Sequence, residues 1–230
     1  MDHPLDNPVW HALAGPHASH AIGTGLARHY PRDMAPFAAI AESSTAAFRD
    51  LRQGLPPGIE ARLFRATEEP APSGWERLSA RPILQMVLER DIPPHRRSPA
   101  DWDIRALSTA DTDAMTALAE AAKPGPFDQR TVELGQYVGM VQGGRLIAMA
   151  GERFRVPGFV ELSAIAVHPA DRGRGIASRL MIDLCRRAAD AGERPFLHVF
   201  PDNPAAKLYE RLGFRVRTTL WVLWHRPAAS

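Results

Sequence analysis

Hydrophobic and polar positions follow a regular order over the second half of the chain. Apolar residues recur every three or four positions in residues 112–122 and 176–191, which predicts two amphipathic helices. A third helix is predicted over residues 203–212, with Asn203 as its N-cap and Pro204 at its first position. Short apolar stretches between turn residues predict strands at residues 103–107, 134–141, 145–154, 160–167, 196–200 and 214–224. The order β-α-β-β-β-α-β-α-β predicts a mixed α/β sheet with helices on both faces.

The first half of the chain has a weaker pattern. It predicts strands at residues 34–40, 59–66 and 83–88 and a helix at residues 44–51. Three prolines fall within residues 91–100, and proline clusters interrupt both helices and strand ladders. We therefore predict a boundary there, which divides the chain into an N-terminal accessory α/β region, residues 1–99, and a main domain, residues 100–230.

Composition and charge narrow the class of protein. Hydrophobic residues make up 45% and charged residues 23%, a balance typical of a globular protein rather than a disordered one. The net charge is only +2 and is nearly balanced in each half, which argues against nucleic acid as a partner. No apolar run approaches the ~18 residues of a membrane span, and the first residues do not resemble a secretory signal, so we expect a cytoplasmic protein without a membrane partner. The single cysteine, Cys185, and the lack of a His-Glu-x-x-His pair predict no metal site.

The segment with the clearest chemistry joins the strand at residues 160–167 to the helix that follows it. The turn between them reads Arg172-Gly173-Arg174-Gly175. Glycines let a backbone approach a ligand closely, and the start of a helix offers free N–H groups with a partial positive charge. These features predict a pyrophosphate site. The alternative is an ordinary strand-to-helix turn on a surface rich in arginine.

Two motifs resemble those of the GNAT superfamily of acyl-CoA-dependent N-acyltransferases. Residues 172–177 fit its acyl-CoA loop, Gln/Arg-x-x-Gly-x-Gly/Ala, and residues 202–214, with Tyr209 and the pair Gly213-Phe214, fit its second signature. The likeness covers residues 103–226, and the motif-poor first half resembles the FR47-like, glycine-N-acyltransferase-like branch. The resemblance implies a GNAT-type mixed central sheet, with the N-terminal region as an accessory or degenerate GNAT-like half that walls the acceptor site. It also implies acetyl-CoA or another acyl-CoA as cosubstrate, and a homodimer.

The same resemblance implies which residues hold the cosubstrate. The two strands 160–167 and 196–200 would splay apart around the pantetheine arm, and main-chain groups would bind the arm and the pyrophosphate. Asn203 would cap its helix, contact the cofactor, or do both. The implied cofactor-binding residues are Ile165, Ala166, Val167, Arg172, Gly173, Arg174, Gly175, Ile176, Ala177, Ser178 and Asn203.

Catalysis needs an acid for the departing thiolate and a route for the proton of the attacking amine. The resemblance implies Tyr209 as the acid, and its alternative role is that of a core aromatic. Glu161 is the expected base, because partial burial would raise the pKa of its carboxyl, although it could equally be an ordinary strand residue facing solvent or an arginine. Glu133 and Tyr137 are alternates beside the acceptor cleft, and His198 would line that cleft. Direct attack with proton loss to water is also open.

Three functions remain in competition at this point. The first is an N-acetyltransferase that acts on the primary amine of a small molecule or an amino acid. The second is a protein or peptide N-acetyltransferase. The third is a non-catalytic acyl-CoA-binding regulatory module, which would keep the loop at residues 172–177 but would not need Tyr209.

Overall fold

A computed structural model describes residues 3–89 and 104–228; the boundary predicted at residues 91–100 lies outside this part. The helices are α1 (Pro8–Leu13), α2 (Thr45–Gly54), α3 (Thr112–Ala122), α4 (Ile176–Asp190) and α5 (Ala206–Arg211). The strands are β1 (Ala27–His29), β2 (Ala38–Ile40), β3 (Ala61–Arg65), β4 (Trp75–Leu88), β5 (Ile104–Leu107), β6 (Tyr137–Gln142), β7 (Arg145–Val156), β8 (Phe159–Val167), β9 (Arg194–Val199) and β10 (Phe214–Pro227).

Eight of these strands form one mixed sheet in the order β3-β10-β4-β9-β8-β7-β6-β5. Neighbouring strands are antiparallel except for β8 and β9, which run parallel. The mixed α/β sheet flanked by helices is therefore confirmed. Strand β4, which precedes residue 99, lies between β9 and β10, so both predicted halves of the chain contribute to the same sheet.

The two faces of the sheet are covered by different parts of the chain. On one face, α4 and α5 pack through residues such as Leu180, Leu184 and Tyr209. On the other face, the N-terminal segment buries Leu5 and Tyr30, among others, against strand residues. Each large apolar side chain removed from water contributes roughly 1.5–3 kcal/mol, so both layers stabilise the sheet between them.

Several predicted elements differ in extent from those observed. The strand expected at residues 134–141 begins only at Tyr137, because residues Thr131–Leu134 form a turn of 3₁₀ helix. The strand expected at residues 83–88 is the end of the 14-residue β4. The first half of β4 contains too many polar residues to be predicted as a strand. The strand predicted at residues 214–224 is part of the longer β10, which contains two register shifts against β4.

The helix predicted over residues 203–212 is shorter than expected. It begins at Ala206, and the side chain of Asn203 accepts a hydrogen bond from the N–H of Ala205 at 2.9 Å. Asn203 therefore stabilises the turn that leads into α5 instead of capping the helix itself. The prediction of an Asn203 N-cap was wrong because Pro204 and Ala205 form this extra turn before the helix starts.

Candidate active site

The sheet opens between its two parallel strands. β8 and β9 pair only from Phe159–Glu161 to Arg194–Phe196, and they are unpaired with each other beyond that point. Ala164 has φ 52°, a left-handed conformation that is uncommon for a residue with a side chain, and the β7–β8 register shifts beside it. The result is a gap in the middle of the sheet, bordered by the free backbone edges of residues 162–167 and 197–199.

A cavity of about 1130 Å³ occupies this gap, with lining residues on both faces of the sheet. This volume is above the range of about 300–1,000 Å³ that is usual for a single ligand site, which leaves room for two reactants. We divide the lining residues into two groups by the elements that supply them, and we call these groups the loop end and the arginine end. The loop end comprises Arg172, Gly173, Gly175, Asn203 and Tyr209, and the arginine end comprises Phe37, Arg62, Phe64, Arg81, Arg153 and Trp224.

The loop end presents backbone N–H groups without partners. Gly175 precedes α4 and has no side chain to cap it, and the first intrahelical hydrogen bond runs from the N–H of Arg179 to Gly175 O at 3.2 Å. The N–H groups of the first three helical residues therefore have no acceptor within the helix. Gly173 and Gly175 have φ values of 78° and 79°, and a Cβ at either would meet no atom within 4 Å. Open space in front of free donors fits the phosphates of a nucleotide cosubstrate.

The two arginines of the loop are held by the surrounding chain. Asp171 accepts from Arg174 Nη1 at 2.6 Å and from Arg145 Nη2 at 3.3 Å. Arg172 donates through Nε to the carbonyl of Val167 and through Nη2 to that of Ala122, both at 3.4 Å. Arg172 thus lies at the end of β8, beside the free amides, where its charge adds to theirs.

Tyr209 lies on α5 and lines the loop end, with 8% of its surface exposed. Burial raises the pKa of its phenol to about 12, so the hydroxyl keeps its proton at neutral pH. The hydroxyl makes no hydrogen bond with any residue of the described ranges, which leaves it free to donate to a ligand. This arrangement suits a proton donor.

Glu161 lies inside the sheet next to the gap and is 0% exposed. Its carboxylate accepts two hydrogen bonds from Arg153, at 2.8 and 2.7 Å, and lies 2.7 Å from His198 Nδ1. Burial alone would raise the pKa of Glu161, but Arg153 and His198 outweigh it and lower the pKa to about 2. This shift is opposite to the one expected for a base, and the structure shows the alternative given from the sequence, a strand glutamate that faces an arginine. The carboxylate itself does not line the cavity.

His198 is fixed from both sides. Its Nε2 lies 3.1 Å from Nε2 of Gln85, and this amide group also donates to the carbonyl of Leu5 at 2.8 Å. Because the amide nitrogen is a donor, His198 Nε2 accepts and its Nδ1 carries the hydrogen donated to Glu161. The ring also packs on Phe64 with centroids 4.6 Å apart. The side chain of His198 is fully buried, so the residue lines the cavity through its backbone.

The two alternates proposed from the sequence do not lie at the cavity. Glu133 forms an ion pair with Arg130 at 2.8 Å near the surface. Tyr137 is buried against Gly151, its hydroxyl has no hydrogen-bond partner, and burial raises its pKa. The structure therefore brings together Tyr209, Asn203, His198 and the loop, but not these two residues.

Sequence reasoning missed the arginine end altogether. Arg62 lies over the ring of Trp224 at 3.9 Å, Arg81 over Phe200 at 4.0 Å and Arg153 over Phe37 at 4.8 Å. The three arginines come from β3, β4 and β7, which are distant in the sequence. The one available signal was a polar residue inside an otherwise apolar strand, as at Arg153.

Comparison with known proteins identifies the family. A family model described as "FR47-like protein" matches residues 137–222. A GNAT-family acetyltransferase structure from Novosphingobium aromaticivorans is 37% identical, with 99% of this chain and 100% of that one covered and a TM-score of 0.89. The chain belongs to the GNAT family of acetyltransferases. A GCN5-related N-acetyltransferase from Kribbella flavida shares the fold at 20% identity and a TM-score of 0.66, over 96% of this chain and 95% of that one.

A curated relative matches a smaller part of the chain. The N-alpha-acetyltransferase RimI of Mycobacterium tuberculosis is 42% identical over 83 residues. The match covers 34% of this chain and 51% of that protein, so it spans about half of the relative's length.

GNAT acetyltransferases in general use acetyl-CoA. The resemblance to this superfamily seen in the sequence is confirmed. Over residues 3–89 and 104–228, no group of three or more His, Cys, Asp or Glu side chains is placed to hold a metal ion. None of the helices in those ranges is long and apolar enough to cross a membrane.

Proposed function

We propose that this GNAT protein transfers an acetyl group from acetyl-CoA to the primary amine of a small molecule or amino acid. One observation carries the proposal: a single cavity in the gap between β8 and β9 is lined both by the loop that precedes α4 and by residues of the N-terminal region such as Arg62 and Arg81. A cavity of about 1130 Å³ has room for two reactants beside each other.

The chain offers suitable groups for each part of the cosubstrate. The amides of residues 172–178 and the Arg172 side chain would hold the pyrophosphate, and Asn203 lies beside them. The unpaired backbone edge of Ile165, Ala166 and Val167 would bind the pantetheine arm as an added strand. When bound, acetyl-CoA supplies an activated acyl thioester.

Tyr209 would donate the proton that the leaving thiolate sulfur takes up. The amine nitrogen forms the new bond to the acyl carbon as the carbon–sulfur bond breaks, and the amine gives up one proton. We propose that this proton passes to water in the cavity, because Glu161 is buried and already neutralised by Arg153, and that Tyr209 regains from water the proton that it gave to the thiolate. Glu161 would then act as a positioning residue, which orients Arg153 and His198.

A peptide N-terminus is the second candidate acceptor. It is favoured by the match to an N-alpha-acetyltransferase, which spans about half of that relative. A peptide must reach the reaction centre through the arginine end, so the chemistry of that end decides between a peptide and a small acceptor.

Calorimetric titration with acetyl-CoA, combined with a thiol-release assay over amino acids, polyamines and peptides, tests the proposal. We expect binding of acetyl-CoA and thiol release that depends on an added amine. Binding without release across the whole panel would favour the non-catalytic module, and no binding would overturn the proposal.

A further inference from the structure

The arginine end has a charge pattern that is unusual for a site that receives an amine. Its lining includes Arg62, Arg81 and Arg153 and no acidic side chain; the one carboxylate among the lining residues, Asp171, belongs to the loop end and pairs with Arg174 and Arg145. Arg153 pairs with Glu161 and Arg81 with Asp202, which leaves Arg62 as the guanidinium without a carboxylate partner among the described residues. A cationic amine beside Arg62 is repelled by it, whereas an amine that carries a negative charge of its own can pair with it.

We propose that the acceptor carries a carboxylate next to its amine and that Arg62 is the specificity-determining residue that binds this carboxylate. This inference rests on the proposed function and adds to it the class of acceptor and the residue that would recognise the carboxylate of that acceptor. The class comprises amino acids and other small amine carboxylates. It excludes polyamines and other polycationic amines.

Arg62 is the arginine that lacks a partner. Its guanidinium forms no hydrogen bond or ion pair with the residues of the described ranges, and its Nε is buried without an acceptor. Burial, followed by the charge of Arg32, lowers its pKa, and Glu60 offsets this only in part. Leaving a buried cationic donor unsatisfied is costly, so its pairing with an anionic ligand is favourable.

Stacking on Trp224 orients this guanidinium. The Cζ atom lies 3.9 Å from the centroid of the ring, so the ring covers one side of the guanidinium, while its two Nη groups have no hydrogen-bond partner in the described part of the chain. A guanidinium held in this way presents the paired donors that match the two oxygens of a carboxylate. The other two arginines are engaged in part: Arg153 by Glu161, and Arg81 by Asp202 at 3.5 Å.

The position of Arg62 separates it from the pyrophosphate site. β3 is the edge strand of the sheet, and β10, β4 and β9 lie between it and β8. Four strand spacings of ~4.8 Å place β3 about 19 Å from the strand that leads into the loop. Arg62 is therefore too far from the loop to bind the pyrophosphate, and it can contact the acceptor instead.

The test compares matched acceptors on the 230-residue protein and its R62Q variant. The probes are the protein amino acids, the carboxamide of each, and spermidine, with kcat/KM measured by thiol release and acetyl-CoA affinity by calorimetry. Wild type should use the carboxylates at least about tenfold better than their amides, and R62Q should lose about tenfold on the carboxylates alone. Acetyl-CoA affinity should stay within twofold.

The control is R65Q on the same strand. Arg65 does not line the cavity and pairs with Glu69 at 3.0 Å, so the preference for carboxylates should persist in this variant. Equal or better use of amides or spermidine by wild type overturns the inference and leaves the proposed function standing. It is also overturned if R62Q loses acetyl-CoA affinity with its preference unchanged, or if acetyl-CoA binds and no carboxylate is used. Absence of acetyl-CoA binding to wild type would instead refute the proposed function.

Discussion

Replacing Glu161 with glutamine should destabilise the protein by about 3 kcal/mol at pH 7. Two independent estimates agree on this size. Removing one partner of a buried ion pair costs about 3–5 kcal/mol, because the other charge stays buried without compensation. A pKa lowered from 4.5 to about 2, at about 1.36 kcal/mol per unit, also corresponds to about 3 kcal/mol of stabilisation by the ionised carboxylate.

The effect should depend on pH in a defined direction. Because the folded pKa of Glu161 is below its unfolded value, its stabilisation is complete above pH 4.5 and is lost as the pH falls towards 2. Wild type loses this stabilisation in acid, whereas E161Q never has it. The difference in unfolding free energy between wild type and E161Q should therefore fall to less than half when the pH is lowered from 7 to 3. Urea denaturation at several pH values measures it.

A matched control is D183N. Asp183 pairs with Arg187 at 2.7 Å on the exposed side of α4, so its loss should cost no more than about 0.5 kcal/mol. An E161Q destabilisation that is the same at pH 7 and pH 3 would refute the reasoning, because it would arise from packing and not from the carboxylate charge.

The same variant separates a positioning role from a base role. If Glu161 only orients Arg153 and His198, E161Q should retain measurable turnover whose kcat/KM still rises with pH as the acceptor amine loses its proton. If Glu161 removes that proton itself, folded E161Q should bind acetyl-CoA normally and lose turnover across the whole pH range. The pH profile of kcat/KM distinguishes the two.

Three further substitutions test other parts of the site and the sheet. Y209F should lower kcat by about tenfold or more with acetyl-CoA affinity within twofold; unchanged kcat would make Tyr209 a packing residue. G175L should abolish acetyl-CoA binding in calorimetry while the protein stays folded, since the added Cβ meets no atom of the protein. The control is G192L, because Gly192 lies beyond the other end of α4 at φ 72° and its replacement causes similar backbone strain; this variant should bind acetyl-CoA normally. G151A should cost about 1–3 kcal/mol in urea denaturation, because its Cβ would overlap the buried ring of Tyr137, and an unchanged midpoint would contradict this packing.

The loop end could be predicted from the sequence because its chemistry is local. The glycines, the arginines and the first turn of α4 all lie within residues 172–178, and Tyr209 follows in a second contiguous motif. Each feature depends on nearby backbone conformation, such as the left-handed φ of Gly173 and Gly175. A short segment therefore contains nearly all the information about this end.

The arginine end could not be predicted because it depends on strand register. Trp224 of β10 faces Arg62 on one side and Ser79 on the other, which aligns residues from three distant segments across one face. A slip of one residue in any of these strands would turn the side chains to the opposite face. No local pattern fixes that register, since it is set by pairing along the whole of β4 and β10.

The placement of β4 links acceptor recognition to the fold itself. Gln85 of β4 pairs in register with His198 and also holds its ring nitrogen, so the strand that completes the sheet also orients the buried pair beside the gap. Arg81 lies on the same strand and Arg62 on β3, both before residue 99. The N-terminal region thus supplies two of the three arginines at the arginine end, while the loop end comes wholly from the second half. If the arginine end binds the acceptor as proposed, a sequence change in β3 or β4 would alter the acceptor without touching the residues that would hold acetyl-CoA.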